Sequence, residues 1–153
     1  MPQFTTPSQA APVNEYLRSR VMSASAEELR LMLLEGALKF ARQGRAGLER
    51  KDFEASYTGL VNCRDIVMEL LTTIRAEPNP ELADQVKAVY TFMYTTLVEA
   101  GHERDLKRLD SVIDLLEFER ETWIMLMRKL AEERGTQQPA APSAECSPLS
   151  IQG

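Results

Sequence analysis

The chain has 153 residues, a formal net charge of −5 at pH 7, two cysteines and one histidine. This length predicts a single domain with enough residues to bury a core, and the acidic balance argues against nucleic acid or an anionic membrane as the main partner. We find neither an apolar run long enough to cross a membrane nor a signal peptide, and the two distant cysteines favour reduced thiols in a cytosolic protein.

Composition separates a central domain from two tails. Residues 1–14 are rich in Pro, Gln, Thr and Ala, residues 135–153 are rich in Gln, Pro, Ala and Ser, and neither segment has apolar periodicity. Because such segments bury too little apolar surface to offset the entropy of ordering, we expect both tails to be disordered. The predicted domain spans residues 15–134 and begins with an arm or short helix that contains Tyr16 and Val21.

The first long helix is predicted from about Ala26 to Arg50. Ser25 and Glu28 form a capping box, which satisfies two backbone N–H groups at the helix start. Apolar residues then recur at three- and four-residue steps, and this expected core stripe consists of Leu29, Met32, Leu33, Gly36, Ala37, Phe40 and Gly44. Beside it runs a second apolar line formed by Leu31, Leu34 and Leu38. A helix with so wide an apolar arc needs neighbours on both sides, or it leaves a patch for a partner.

The second long helix is predicted from about Phe53 to Arg75, with Asp52 as its N-cap. Its expected stripe consists of Phe53, Leu60, Cys63, Val67, Leu70, Leu71 and Ile74. Val61 and Met68 lie off this stripe.

The third helix is predicted to start at Pro80, with Asn79 as N-cap, and to stop at Gly101. Its expected inward-facing residues are Leu82, Val86, Val89, Tyr90, Met93 and Leu97. Tyr94 and Val98 flank them.

The fourth helix is predicted from about Leu106 to Arg134, with Asp105 as its cap. Its stripe consists of Leu106, Leu109, Val112, Ile113, Leu116, Trp123, Met127 and Leu130. Glu119 falls within this stripe and is a local conflict. The apolar residues off the stripe are Leu115, Phe118, Met125 and Leu126.

These elements predict an all-α fold, an antiparallel up-down-up-down four-helix bundle with an N-terminal arm or short helix. Loops this short force each helix to run antiparallel to the one before it. No strand pattern or glycine-rich phosphate loop competes with this prediction.

The sequence gives only weak evidence for a catalytic or metal site. Glu99 and His102 have the Glu-x-x-His spacing of di-iron bundles, but a di-metal site needs a second such pair and two further carboxylates. A surface histidine is therefore the favoured interpretation, and neither cysteine has a nearby histidine to activate it. We expect no enzyme activity, no cofactor and no bound metal.

The off-stripe apolar residues favour a binding role. For any one of them a place in the core is the favoured interpretation, but together they are numerous for a small bundle. We therefore expect some of them to form an exposed groove that accepts an incoming helix.

Several segments, in their order and spacing, resemble the FliS family of flagellar secretion chaperones. They are Tyr16 and Val21, the stretch from Ser23 to Phe40, Val89 to Tyr94 with Leu97 to Gly101, and Leu115-Leu116 followed by Trp123. The resemblance covers about residues 16–128.

The resemblance implies a cytoplasmic chaperone that binds the disordered C-terminal segment of flagellin, blocks its premature polymerisation and helps deliver it to the flagellar type III export apparatus. Other flagellar regulators or export components are further candidate partners, and the free protein is expected to be a monomer or weak homodimer. The expected partner-binding residues are Tyr16, Val21, Leu31, Leu34, Leu38, Val61, Met68, Tyr94, Val98, Phe118 and Met125. The alternative is a structural or regulatory bundle that self-associates through the same apolar surface.

Overall fold

The computed structural model describes residues 10–137, and the remainder of the two predicted tails lies outside the described residues. Within this range the regular elements are five helices, α1 (Ala10–Ser23), α2 (Ala26–Glu49), α3 (Phe53–Thr72), α4 (Pro80–Glu103) and α5 (Leu106–Gln137). Helices α2 to α5 form a closed ring in which α2 packs against α3, α3 against α4, α4 against α5 and α5 against α2. The predicted all-α bundle with a short N-terminal helix is confirmed.

The helix starts lie where the capping residues predict them. The Ser25 and Glu28 capping box is complete, since the Glu28 N–H donates to Ser25 Oγ at 3.2 Å and the Ser25 N–H donates to Glu28 Oε2 at 3.0 Å. Asp52 and Asn79 accept backbone hydrogen bonds at the starts of α3 and α4, and Asp105 does so at the start of α5. Each cap satisfies a donor that the helix itself leaves unpaired.

The helix ends differ more from expectation. Helix α4 passes Gly101 and ends at Glu103, and its C-cap residue Arg104 adopts the left-handed conformation with φ 55°. A glycine occupies position 101 because of packing, since a Cβ there would lie only 3.2 Å from Leu60 Cδ1. Gly101 thus provides room for a neighbouring helix instead of a stop.

Helices α1, α3 and α5 also depart from their predicted limits. Helix α1 begins at Ala10, inside the segment assigned to the N-terminal tail, where Ala10 and Ala11 favour a helix and Pro12 occupies the first turn. Helix α5 continues through Gly135 to Gln137, and α3 ends at Thr72, before the predicted Arg75.

The core runs along the axis of the ring and draws on all four long helices. Its largest fully buried side chains are Tyr90, Leu34, Leu70, Met93, Leu97, Leu109 and Leu116. On α2 the buried face lies between the two predicted apolar lines, because this helix has α3 on one side and α5 on the other. Leu34 and Leu38 lie beside the predicted stripe and were also named as partner-binding residues, but they are only 1% and 3% exposed and belong to the core, which is the place favoured for each such residue singly.

Helices α2 and α3 approach each other through glycine. A Cβ at Gly59 would lie 2.5 Å from the backbone N of Gly44, and a Cβ at Gly47 would lie 2.5 Å from the backbone N of Ser56. Both distances are shorter than any real contact, so side chains at these positions would force the two helices apart.

Helix α1 contributes little to the core. Every side chain from Val13 to Ser23 is exposed, including the apolar residues Tyr16, Leu17 and Val21. The two residues Ala24 and Ser25 connect it to α2.

Candidate partner-binding site

A groove lies at the end of the bundle where α3 stops. Helix α3 has 20 residues, whereas α2 and α4 each have 24, so the starts of α2 and α4 lack a helical neighbour there. The groove has a volume of about 970 Å³. We call it the end groove, and its large apolar lining residues are Leu29, Leu33, Ile74, Leu82, Val86 and Trp123.

Trp123 lines the end groove and is held in place by polar contacts. Its indole N–H donates to the backbone oxygen of Glu27 at 2.9 Å, and the Arg30 guanidinium lies 5.1 Å from the ring centroid. The side chain is half-buried and packs against the core. Trp123 therefore joins core and groove, with one part of its ring available to a ligand.

The conflict posed by Glu119 is resolved next to this site. The Tyr90 hydroxyl accepts from Arg30 Nη2 at 3.0 Å and donates to Glu119 Oε2 at 3.2 Å. Burial raises the pKa of Tyr90, so this hydroxyl keeps its proton and remains a donor. The carboxylate on the core stripe is thus satisfied by a buried phenol and, through it, by an arginine.

A second groove lies on the side of the bundle between α3 and α4. It has a volume of about 390 Å³, and we call it the side groove. Its lining includes Phe53, Tyr57, Val61, Arg64, Val98, His102 and Arg104. The Arg104 guanidinium lies over the Phe53 ring at 3.6 Å from the centroid, which fixes one wall of the groove.

The structure brings some of the predicted partner-binding residues together. Val61 on α3 and Val98 on α4 both line the side groove. Met68 and Tyr94 lie on the same two helices; Met68 is exposed and Tyr94 is half-buried against the core.

Like Met68 and Tyr94, the remaining predicted residues line neither groove. Leu34 and Leu38 are core residues, and Leu31 is half-buried on α2. Tyr16 and Val21 are exposed on α1, and Phe118 and Met125, seven residues apart, share an outward face of α5.

Sequence reasoning missed the end groove because its residues belong to the predicted core stripes. Leu82, for example, was expected to face inward but is 55% exposed. The feature of the sequence that could have indicated the groove is the helix-breaking segment at residues 76–80, which contains two prolines. Helix α3 ends before it, so apolar residues at the starts of α2 and α4 have no helical neighbour.

Two groups considered for catalysis, the Glu99 carboxylate and the Cys63 thiol, have structural surroundings. The Glu99 carboxylate binds Arg108 at 2.8 Å, and among residues 10–137 no cluster of three potential metal ligands occurs. Burial raises the pKa of the Cys63 thiol to about 12, which disfavours the nucleophilic thiolate. None of the helices in the described range is long and apolar enough to cross a bilayer.

Comparison with known proteins relates this chain to a family. The family model described as Flagellar protein FliS matches residues 9–130. The chain is 31% identical to the flagellar secretion chaperone FliS of Bacillus subtilis, over 80% of this chain and 91% of the relative. It is 29% identical to the FliS of Salmonella typhimurium, over 74% of this chain and 84% of that protein.

A solved structure, described as a flagellar chaperone from bacteria, has a similar fold. It superposes with a TM-score of 0.64 at 13% identity, covering 77% of this chain and 98% of that one. Given the extent of the family match, this chain belongs to the FliS family of flagellar proteins.

Proposed function

We propose that this chain is a cytoplasmic export chaperone that binds the disordered C-terminal segment of flagellin. By holding that segment it prevents premature polymerisation and assists delivery of the subunit to the flagellar type III export apparatus. The observation that carries the proposal is the end groove, an apolar surface at the open end of a bundle that belongs to this family.

The physical basis is folding of the segment on binding. A disordered segment must bury enough apolar surface to exceed the entropy lost when it becomes ordered. The end groove offers six large apolar side chains, including the ring of Trp123, to the apolar face of an incoming helix. Flagellin side chains held there are unavailable to other flagellin copies, and this role requires binding without catalysis.

Calorimetry with the flagellin C-terminal segment tests the proposal through a matched pair of variants. Leu82 and Phe92 lie on the same helix and are each 55% exposed, but Leu82 lines the end groove and Phe92 does not. Leu82→Asp should fold, because an acidic residue in the first turn of a helix is favourable. It should weaken binding by about tenfold or more, since it buries an unpaired charge in the complex.

Phe92→Asp is the control and should bind with close to parental affinity. If Leu82→Asp folds and binds as tightly as the parent, the end groove is not the binding site.

A self-associating bundle is the second candidate, and the exposed apolar residues of α1 favour it. Light scattering separates the two. A chaperone gives a 1:1 complex when the segment is added, whereas a self-associating protein gives oligomers that depend on concentration and are indifferent to the segment.

A further inference from the structure

The side groove is lined by basic residues in an acidic protein. Its basic lining residues are Arg64, His102 and Arg104, and no Asp or Glu from the described part of the chain lines it. The whole chain carries a net charge of −5. The local charge is therefore opposite to that of the molecule as a whole.

Three carboxylates that neighbour groove residues in the sequence pair with an arginine outside the groove. Arg108 binds Glu99 at 2.8 Å, Glu103 at 3.2 Å and Asp105 at 3.4 Å. These ion pairs join the end of α4 to the start of α5. Among residues 10–137, neither Arg64 nor Arg104 forms an ion pair with a carboxylate within 4.0 Å.

Arg64 carries an unsatisfied donor. Its Nε is inaccessible to solvent and has no hydrogen-bond partner in the described structure. Leaving this N–H unpaired is costly, but a ligand cannot reach an atom that solvent cannot reach. The rest of the half-buried Arg64 guanidinium lines the side groove, and a carboxylate is the acceptor that matches its geometry and charge. The apolar walls formed by Val61 and Val98 would exclude water and strengthen such a bond.

We propose that the side groove binds an acidic side chain of the partner, an Asp or Glu flanked by apolar residues, with Arg64 as the residue that selects it. This inference rests on the proposed function, because the acidic residue lies in the flagellin segment that the chaperone holds. The end groove then supplies apolar binding energy, and the side groove fixes the register of the segment on the bundle. A segment shifted along the surface would leave both the carboxylate and Arg64 unpaired.

The test is a double-mutant cycle measured by calorimetry. Each Asp and Glu of the flagellin C-terminal segment is changed singly to Asn or Gln, and each peptide is titrated into the parent, Arg64→Met and Arg128→Met. One acidic change should lower affinity for the parent by about 10- to 100-fold and for Arg64→Met by less than about twofold. Arg128 is exposed on α5 and lines neither groove, so Arg128→Met should show the full loss.

Thermal melting gives a second readout. Arg64→Met should melt at or above the parental temperature, because it removes a buried donor without a partner. A clearly lower melting temperature would assign Arg64 a structural role and overturn the inference.

The outcomes distinguish the two proposals. If the segment binds but no acidic residue couples to Arg64, the inference fails and the proposed function stands. If the segment binds none of the proteins, both fail. Glu145 is the one acidic residue of the predicted C-terminal tail, residues 135–153. If Glu145→Gln lowers the melting temperature of the free parent but not that of Arg64→Met, the occupant of the side groove is the chain's own tail, and the inference is overturned.

Discussion

At the scale of single residues, the contact between Arg30, Tyr90 and Glu119 explains how a carboxylate occupies a core stripe. The tyrosine hydroxyl is both acceptor and donor, so it links a cation on α2 to an anion on α5 through α4. Removing it leaves the two charged groups without their shared partner.

Tyr90→Phe should lower the free energy of unfolding by about 1–3 kcal/mol, because the partly buried Glu119 loses a donor. Urea unfolding measures the change. Tyr57→Phe removes a hydroxyl from an exposed ring, and this control should stay within about 0.5 kcal/mol of the parent. Equal effects of the two substitutions would contradict a specific role for Tyr90.

The same tyrosine predicts a dependence on alkaline pH. Burial raises the pKa of Tyr90 above its ordinary value of 10.0, so above that pH the folded protein holds a proton that the unfolded chain releases. Stability should therefore fall as the pH rises through this range, with a slope of at most about 1.4 kcal/mol per pH unit from this group. Unfolding of Tyr90→Phe measured over the same range should show a shallower decline; parallel curves would show that Tyr90 does not contribute.

The binding residues were harder to predict than the core, and the reason lies in helical periodicity. Spacing places Val61 and Val98 off their stripes, and they do line a groove. Spacing also set Leu34 and Leu38 beside the main stripe, although both are buried, and placed Leu82 in the core, although it is exposed. Spacing alone does not reveal how many neighbours a helix has or where each neighbour ends.

At the scale of helices, the contact between α2 and α3 depends on glycines that let two backbones approach. Gly59 faces Gly44 so closely that any Cβ would meet backbone atoms, which cannot rotate away as a side chain can. This contact fixes the spacing of α2 and α3 and with it the position of both grooves, because α3 borders each of them.

Gly59→Ala should therefore destabilise the protein by about 1–3 kcal/mol despite the higher helix propensity of alanine. Gly135→Ala is the matched control, since nothing lies within 4 Å of a Cβ at that helical position, and it should be neutral or slightly stabilising. Thermal melts compare the two. A stable Gly59→Ala would mean that the helices separate at little cost.

The sequence predicts helix starts well because caps are local. Ser25, Asp52, Asn79 and Asp105 each bind a backbone N–H within three residues, so the information lies in a short stretch of chain. Helix ends depend on distant packing. Gly101 is small because Leu60 of another helix lies against it, and no local pattern could distinguish that from a stop.

At the scale of the whole molecule, the seam of the bundle where α2 and α5 meet is bridged by ion pairs. Between α2 and α5, ion pairs join Arg42 to Glu117, Arg45 to Asp110, Arg120 to Glu35 and Arg134 to Glu27. Exposed pairs of this kind contribute little to stability individually, but they make the seam polar and unsuited to an apolar segment. The apolar grooves lie elsewhere, at the end of α3 and between α3 and α4.

Helix α1 should be dispensable for folding. Since its side chains from Val13 to Ser23 are all exposed, removing residues 1–23 should change the melting temperature by no more than about 2 °C. Calorimetric melts of the full and shortened chains decide this. A fall of many degrees would mean that α1 packs on the bundle in solution.

The most direct test of the binding account uses Trp123, the single tryptophan of the chain, which lines the end groove. A flagellin C-terminal segment without tryptophan is titrated into the protein while the emission of Trp123 is recorded. The account predicts a shift to shorter wavelength that saturates at one equivalent, because the segment covers the exposed part of the ring, and this shift should be lost in Leu82→Asp. Emission that stays unchanged while light scattering reports a 1:1 complex would show that the segment binds elsewhere and would contradict the central claim.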